Sequence, residues 1–302
     1  MLQAPQRSAL SGPALVRLLA RLGEADVAEA RQSLADRLSQ WLGWTDAIAL
    51  SSALDGKPPA VAGGARAFGR AEEEECMRVR RSLVSAIASD SVLAGSRRRG
   101  PSPSSVRIAA PRVAVDTQAD YAVFRQRYLA LQQSMETAIG TLRGRLRALL
   151  ATQAPALARL AVVDAVMERA LGERERTLLG AVPGLLGGHY ERLREGEKRR
   201  VAEAEAEAAA AADTTRQQSA AVEAEAKAGA QATPPASPLA QVNASAAATR
   251  LAKAMDANNA AAPLASDAWL DAFRKDMQSV LLAELDVRFQ PVEGLLAALR
   301  AC

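Results

Sequence analysis

Reactive side chains are scarce in this chain. Its 302 residues include one histidine and two cysteines, and aromatic residues make up only 3%. Cys76 and Cys302 do not form a close pair, so neither a disulfide framework nor a zinc-ligand spacing follows, and a reducing compartment fits best. Cys76 comes directly after four glutamates, whose charge raises a thiol's pKa and argues against a nucleophile. His189, in LLGGHYERL, has no cysteine or paired-carboxylate motif around it; it reads as a surface or helix-start histidine sooner than as a general base or metal ligand. HExxH, the Walker A loop, GxGxxG and GxSxG are all missing. No catalytic, cofactor-binding or metal-binding residue is expected, and no cofactor.

Long apolar runs are missing too. A membrane-spanning helix needs about 18 or more consecutive apolar residues. The uncharged stretch 228–249 is long enough, but its Pro, Gln and Asn residues rule it out. No secretory signal is visible at the N-terminus, so a cytoplasmic location is expected, and the glycosylation sequon Asn243-Ala-Ser245 has no meaning there. Strand signals are nearly absent. VRIAAPRVAVD (106–116) is the one stretch that could be extended, and Pro111 restricts it to a short or edge strand.

What remains is rich in Ala, Leu, Arg, Glu and Gln, the best helix formers. An all-α fold follows. Ser11-Gly-Pro13 opens a first helix that Gly23 ends. A second, from about Asp26 to Leu42, sets Val27, Ala30, Leu34, Leu38, Trp41 and Leu42 on one face, and Thr45-Asp46 caps a short third. After the break DGKPPAVAGG (55–64), a helix from about Ala71 to Leu93 carries the row Cys76, Val79, Leu83, Ile87. The most regular segment is 117–152, with Phe124, Tyr128, Leu131, Met135, Ile139, Leu142, Leu146 and Leu150 at steps of three and four. Its eleven-residue recurrence averages 3.67 residues per turn, close to a straight helix. Pro155 turns the chain into a partner helix facing inward through Leu157, Leu160, Val163, Met167 and Leu171. GAVPGLLGG (180–188) reads as a kink or short loop, and a charged, solvated helix follows.

From about Asp213 to Ala265 the sequence is low in complexity, with ATPPASP at 232–238. It has too few bulky apolar groups to offset its ordering entropy and reads as a mostly disordered linker. Ser266 then caps a last helix with Trp269, Phe273, Met277, Leu281 and Leu285 on a broad apolar face. Asp271–Lys275 and Glu284–Arg288 sit outside that face as i,i+4 pairs, and Pro291 ends the helix before a short final one. A solitary helix with that face cannot stay in water, so those five residues pack on the main body or bind a partner.

The middle of the chain is basic and the last third acidic. Mutual attraction between the two explains this simply. The rival reading is a nucleic-acid-binding helical protein using the basic loop with Arg97, Arg98, Arg99 and Arg107, the exposed side of the long helix at Arg143, Arg145 and Arg147, and Lys198–Arg200. Aromatic interleaving is missing and glutamates are mixed through two of these clusters, which favours solvated helix faces. Peripheral membrane contact through the N-terminal helix is explained away in the same manner, by a core-facing leucine stripe.

Four blocks carry a resemblance: RSALSGPALVRLLARL (7–22), LADRLSQWLGWTDAIALSSAL (34–54), LARLAVVDAVMERALGERERTLLGAVPGLL (157–186) and FRKDMQSVLLAELDVRFQPVEGLLAALR (273–300). Together they resemble a bacterial protein family that carries only a domain-of-unknown-function label. The resemblance brings no catalytic residue or cofactor. It implies a soluble cytoplasmic accessory to a bacterial envelope complex.

The expected architecture is an all-α, elongated antiparallel helical bundle. It has an N-terminal helical unit (1–54), a linker (55–70), the bundle (71–212), a disordered linker (213–265) and a C-terminal docking helix (266–302). The expected function is that of a non-catalytic interaction or scaffold protein with a protein partner, self-association being left open.

Overall fold

The computed structural model describes residues 13–23, 33–56, 68–94, 120–230 and 267–301. The described residues contain no strand. Their helices are α1 (Ala14–Gly23), α2 (Leu34–Trp41), α3 (Trp44–Asp55), α4 (Arg70–Ala88), α5 (Tyr121–Gln153), α6 (Pro155–Gly180), α7 (Val182–Ala230) and α8 (Ala268–Arg300). The possible strand at 106–116 and the basic loop at 97–107 lie outside the described residues. The chain divides into two compact units, one made of Met1–Glu191 and Leu270–Cys302, the other of Arg192–Trp269.

The first unit is built around the α5–α6 hairpin. Asp120 caps α5 by accepting the Ala122 N–H at 2.9 Å. Every member of the row read from the sequence, Phe124 through Leu150, is buried, and Gln132 joins them. At 33 residues α5 is roughly 50 Å long at about 1.5 Å per residue. The turn is a single extended residue, Ala154, held out of the helical region by Pro155, which then occupies the first turn of α6. Cross-links run from residue 132 to 179, 136 to 176 and 143 to 164, so one index falls as the other rises and the pair is antiparallel.

α6 presents a different face from the one expected. Leu157, Ala158, Ala161, Val166 and Leu179 are buried, whereas Leu160 is exposed and Val163, Met167 and Leu171 are half-buried. Counting only large apolar residues keeps Leu157 but misses Ala158 and Ala161, which are buried beside it with Val166 and Leu179. α2 and α3 pack along α6, and α4 along α5. The end of α3 is pinned by Arg159, whose guanidinium donates to the Gly56 carbonyl at 3.2 Å. Gly56 is required there, since a Cβ would stand 2.4 Å from the Ser52 carbonyl oxygen.

Several boundaries differ from the sequence reading. α2 begins at Leu34: Ser33, in extended conformation, and Asp36 form a reciprocal capping box, a local start signal stronger than the apolar spacing, while the earlier part of the expected helix, from Asp26 to residue 32, lies outside the described residues. α3 starts at Trp44 with Gly43 as its N-cap, so Thr45 and Asp46 lie in its first turn. α4 ends at Ala88, and Leu93 is buried from a turn that Asp90 stabilises by accepting the Val92 and Leu93 N–H groups. The 180–188 segment is helical except at Ala181, the one residue between α6 and α7. α8 continues through Pro291 to Arg300. Burial of Val292, Leu295, Leu296 and Leu299 holds the helix together beyond the proline.

The second unit contains most of α7. The helix reaches Ala230, so the linker read as starting at 213 is helical over 213–230; residues 231–265 lie outside the described residues. Alanine and glutamate sustain a helix without bulky groups, helped by i,i+3 pairs Glu197–Arg200 at 2.7 Å and Asp213–Arg216. No described helix is long and apolar enough to cross a membrane.

Candidate functional site

α8 is seated in the first unit by its apolar face. Phe273, Met277, Leu281 and Leu285 are all buried within this chain. Phe273 sits edge-on to Phe124 and Tyr190, at centroid distances of 5.2 and 5.1 Å. Trp269 belongs to the second unit and is half-buried. Four of the five candidate partner-binding residues are thus spent on the protein's own core. Arginines on other faces add to the docking: Arg80 donates to Asp286 at 2.7 Å and to Glu293 at 2.5 Å, and Arg300 to Glu73 at 2.6 Å.

The pair Glu284–Arg288, expected on the exposed side, is instead buried at the centre of a polar knot. Glu284 is fully buried and Arg288 is 9% exposed. Tyr128 Oη donates to Glu284 at 2.7 Å, Gln132 Nε2 to Glu284 at 2.9 Å and to the Leu179 carbonyl at 3.1 Å, and Arg288 Nε to Glu284 at 2.8 Å. One carboxylate therefore ties α5 to α8, and Gln132 extends the tie to the end of α6. Burial, then the neighbouring Glu284 carboxylate, pushes the Tyr128 phenol's pKa well up, so the hydroxyl stays a donor. The sequence signal for this knot was available: Tyr128 and Gln132 are four apart on α5, and Gln132 adjoins the apolar row.

Arg288 also reaches Glu175 at 3.5 Å, on the wall of an open cleft of about 710 Å³. The cleft lies between α5, α6 and α8, with Trp41 from the end of α2 at its rim. Its cationic groups are Arg143, Arg169, Arg174, Arg176 and Arg288; its anionic groups are Glu136, Glu168 and Glu175. Arg143 and Arg147, read from the sequence as exposed, are interhelical partners. Arg143 contacts Asp164 at 2.6 Å and Glu168 at 3.5 Å, and Arg147 pairs with Glu168. Burial opposes Arg143's charge, but the bond to Asp164 and the charges of Asp164 and Glu168 outweigh it, so its pKa is raised. Arg145 does stay exposed, pairing with Glu75. Those ion pairs take two of three helix-face arginines from the nucleic-acid reading. Arg97, Arg98, Arg99 and Arg107 lie outside the described residues.

His189 is in the first turns of α7 and mostly covered, its Nε2 3.0 Å from Asp276 Oδ2 and its ring beside Phe273. One carboxylate accompanies it, and the described residues hold no group of three or more metal-ligating side chains. Cys76 is buried on α4; burial and then the charge of Glu75 push its thiol up to about 11.

The model of a family described as "Protein of unknown function (DUF3348)" matches residues 1–225 and 238–301, and the chain belongs to that family. No curated protein and no solved structure matches it.

Proposed function

Starting from membership in a family without an assigned activity, we propose that this protein works by binding another protein, as a non-catalytic helical interaction or scaffold protein. The observation that best supports this is α3. Its sequence, WTDAIALSSALD, is largely apolar, yet none of its residues is buried. Trp44 is 82% exposed and Ile48, one turn further on, 51%. An exposed tryptophan beside an aliphatic residue is the composition of an interface centre. Glu284 is held by Tyr128, Gln132 and Arg288, and Cys76 lies within the core.

The test is recovery of complexes from native cells with the intact protein and with a Trp44→Ser/Ile48→Ser variant, which removes no buried group. A stoichiometric partner that co-elutes with the wild type and is lost from a normally folded variant is the expected result. An unchanged partner set would remove α3 as the contact surface, and turnover of a substrate by the purified protein would end the reading. The resemblance to a bacterial family supports a finer form, a cytoplasmic accessory to an envelope complex. Fractionation of the tagged protein tests this, and recovery in the periplasm would overturn it.

A further inference from the structure

Two of the cationic groups in the cleft between α5, α6 and α8 are left without an ion pair among the described residues. Five guanidiniums line it against three carboxylates. Arg143 and Arg288 are answered by the ion pairs above, and Arg176 approaches Glu136 at 3.8 Å. Among the described residues, Arg169 and Arg174 have no carboxylate partner; Arg174 lies over the Trp41 ring instead, 5.9 Å from its centroid. The two are five residues apart on α6, roughly 7.5 Å of helix rise.

The walls carry a second signal. Gly140 and Gly172 sit inside α5 and α6, where glycine weakens a helix. A Cβ at either position would meet nothing within 4 Å, so the chain's own packing does not require them. Other helical glycines are equally uncrowded, but these two line the cleft, and their lack of side chains keeps it wide. Ile139, Leu171, Val287 and Pro291 give the remaining wall an apolar character.

We propose that this cleft receives an acidic peptide segment of a partner protein. Its carboxylates meet Arg169 and Arg174, and an apolar side chain lies over Gly140 and Gly172 towards Trp41. Two separated guanidiniums suit carboxylates spaced along a chain better than one small anion. Phosphodiester chains are disfavoured by the interspersed Glu136, Glu168 and Glu175, and by the presence of one aromatic platform only. This inference rests on the interaction reading above and adds the chemistry of the partner.

The experiment is selection from a display library of random twelve-residue peptides on the immobilised intact protein, with counter-selection on an Arg169→Ala/Arg174→Ala variant. Both side chains are exposed, so the variant keeps its fold, which circular dichroism verifies. Enrichment of acidic peptides with an apolar residue is expected. A synthetic copy of the winner should bind the variant at least tenfold more weakly and lose affinity as salt rises. It should also be blocked by Gly172→Leu but not by Gly172→Ala. Enrichment of basic or uncharged peptides, no enrichment over the variant, or equal binding to Gly172→Leu would overturn the proposal. If one of these occurs while the Trp44-dependent complex still forms, only the acidic-segment inference fails; if that complex is missing as well, the interaction reading fails with it.

Discussion

α8 and the distal part of α7 are both uninterrupted helices of more than thirty residues, and they are made by different physics. α8 buries fourteen side chains, from Leu270 to Leu299, and tolerates a proline in its interior. From Arg192 onward α7 buries none of its described side chains and contains runs of alanine and glutamate. One helix exists because its sides are removed from water; the other because each residue favours the helical backbone and neighbouring charges pair along it. The first should fail cooperatively when one contact is lost, and the second should fray locally and absorb substitutions.

Phe273→Ala puts the largest strain on that contrast. The ring is fully buried among Phe124, Tyr190 and Tyr121, and its removal should cost about 3–5 kcal/mol. Glu205→Ala on the exposed part of α7 should change stability by less than about 0.5 kcal/mol. Paired urea titrations of the two variants measure the difference. Equal midpoints would mean that α8 is not integral to the unit.

Charge inside α8 gives the next effect. Arg288→Ala leaves Glu284 buried with only neutral donors, and loss of one member of a buried pair costs about 3–5 kcal/mol. The double replacement Glu284→Leu/Arg288→Met removes both charges but strands the donors of Tyr128 and Gln132, so the recovery should be partial. A double variant as unstable as the single one would show that hydrogen bonding, not charge pairing, dominates the knot.

Apolar rows of one helix were legible in the sequence, and relations between helices were not. The α5 row was complete because large apolar side chains recur there at steps of three and four. The same reasoning caught only Leu157 of the α6 face, whose buried residues include Ala158 and Ala161, and placed Glu284 and Arg288 outside the α8 face, because a charged pair four apart looks alike on a surface and in a core. Local propensity was undervalued at both extremes: the Ser33–Asp36 box starts α2 later than periodicity suggests, and the alanine-rich tract remains helical to Ala230. The cleft was invisible for the same reason. Trp41, Gly140, Gly172 and Val287 come from four helices, and no spacing within any one of them reports their meeting. Membership of a family of unknown function was legible because long blocks such as QWLGWTDAIAL carry the resemblance, but it names no chemistry.

Alkaline pH probes the buried side of the contrast through Cys76. Its folded pKa is raised from 9.0 to about 11, so the unfolded chain gives up the thiol proton first as pH rises. The contribution is present below pH 9 and should be lost between roughly pH 9 and 11. Thermal melts across that window should fall more steeply for the wild type than for Cys76→Ala. Parallel curves would mean that the thiol ionises without unfolding. Thiol-specific reagents at pH 8 should react slowly for the same reason.

Ser33→Ala is the smallest and most local prediction, and it sharpens the other side of the contrast. α2 has eight residues, mostly exposed or half-buried, so like distal α7 it depends on local terms. Its capping box joins the Ser33 side chain to the Asp36 N–H at 3.1 Å and the Asp36 carboxylate to the Ser33 N–H at 3.3 Å. Losing the hydroxyl should cost about 1 kcal/mol, which raises the opening equilibrium of α2 about fivefold. Hydrogen exchange over 34–41 should accelerate by that factor while the urea midpoint of the whole unit moves little, because the core of α5, α6 and α8 does not depend on the cap. Trp41 ends this helix and rims the cleft, so the same variant should bind an acidic peptide more weakly without touching any arginine. Unchanged exchange at α2, or a global loss of stability as large as that of Phe273→Ala, would show that α2 is held by burial after all.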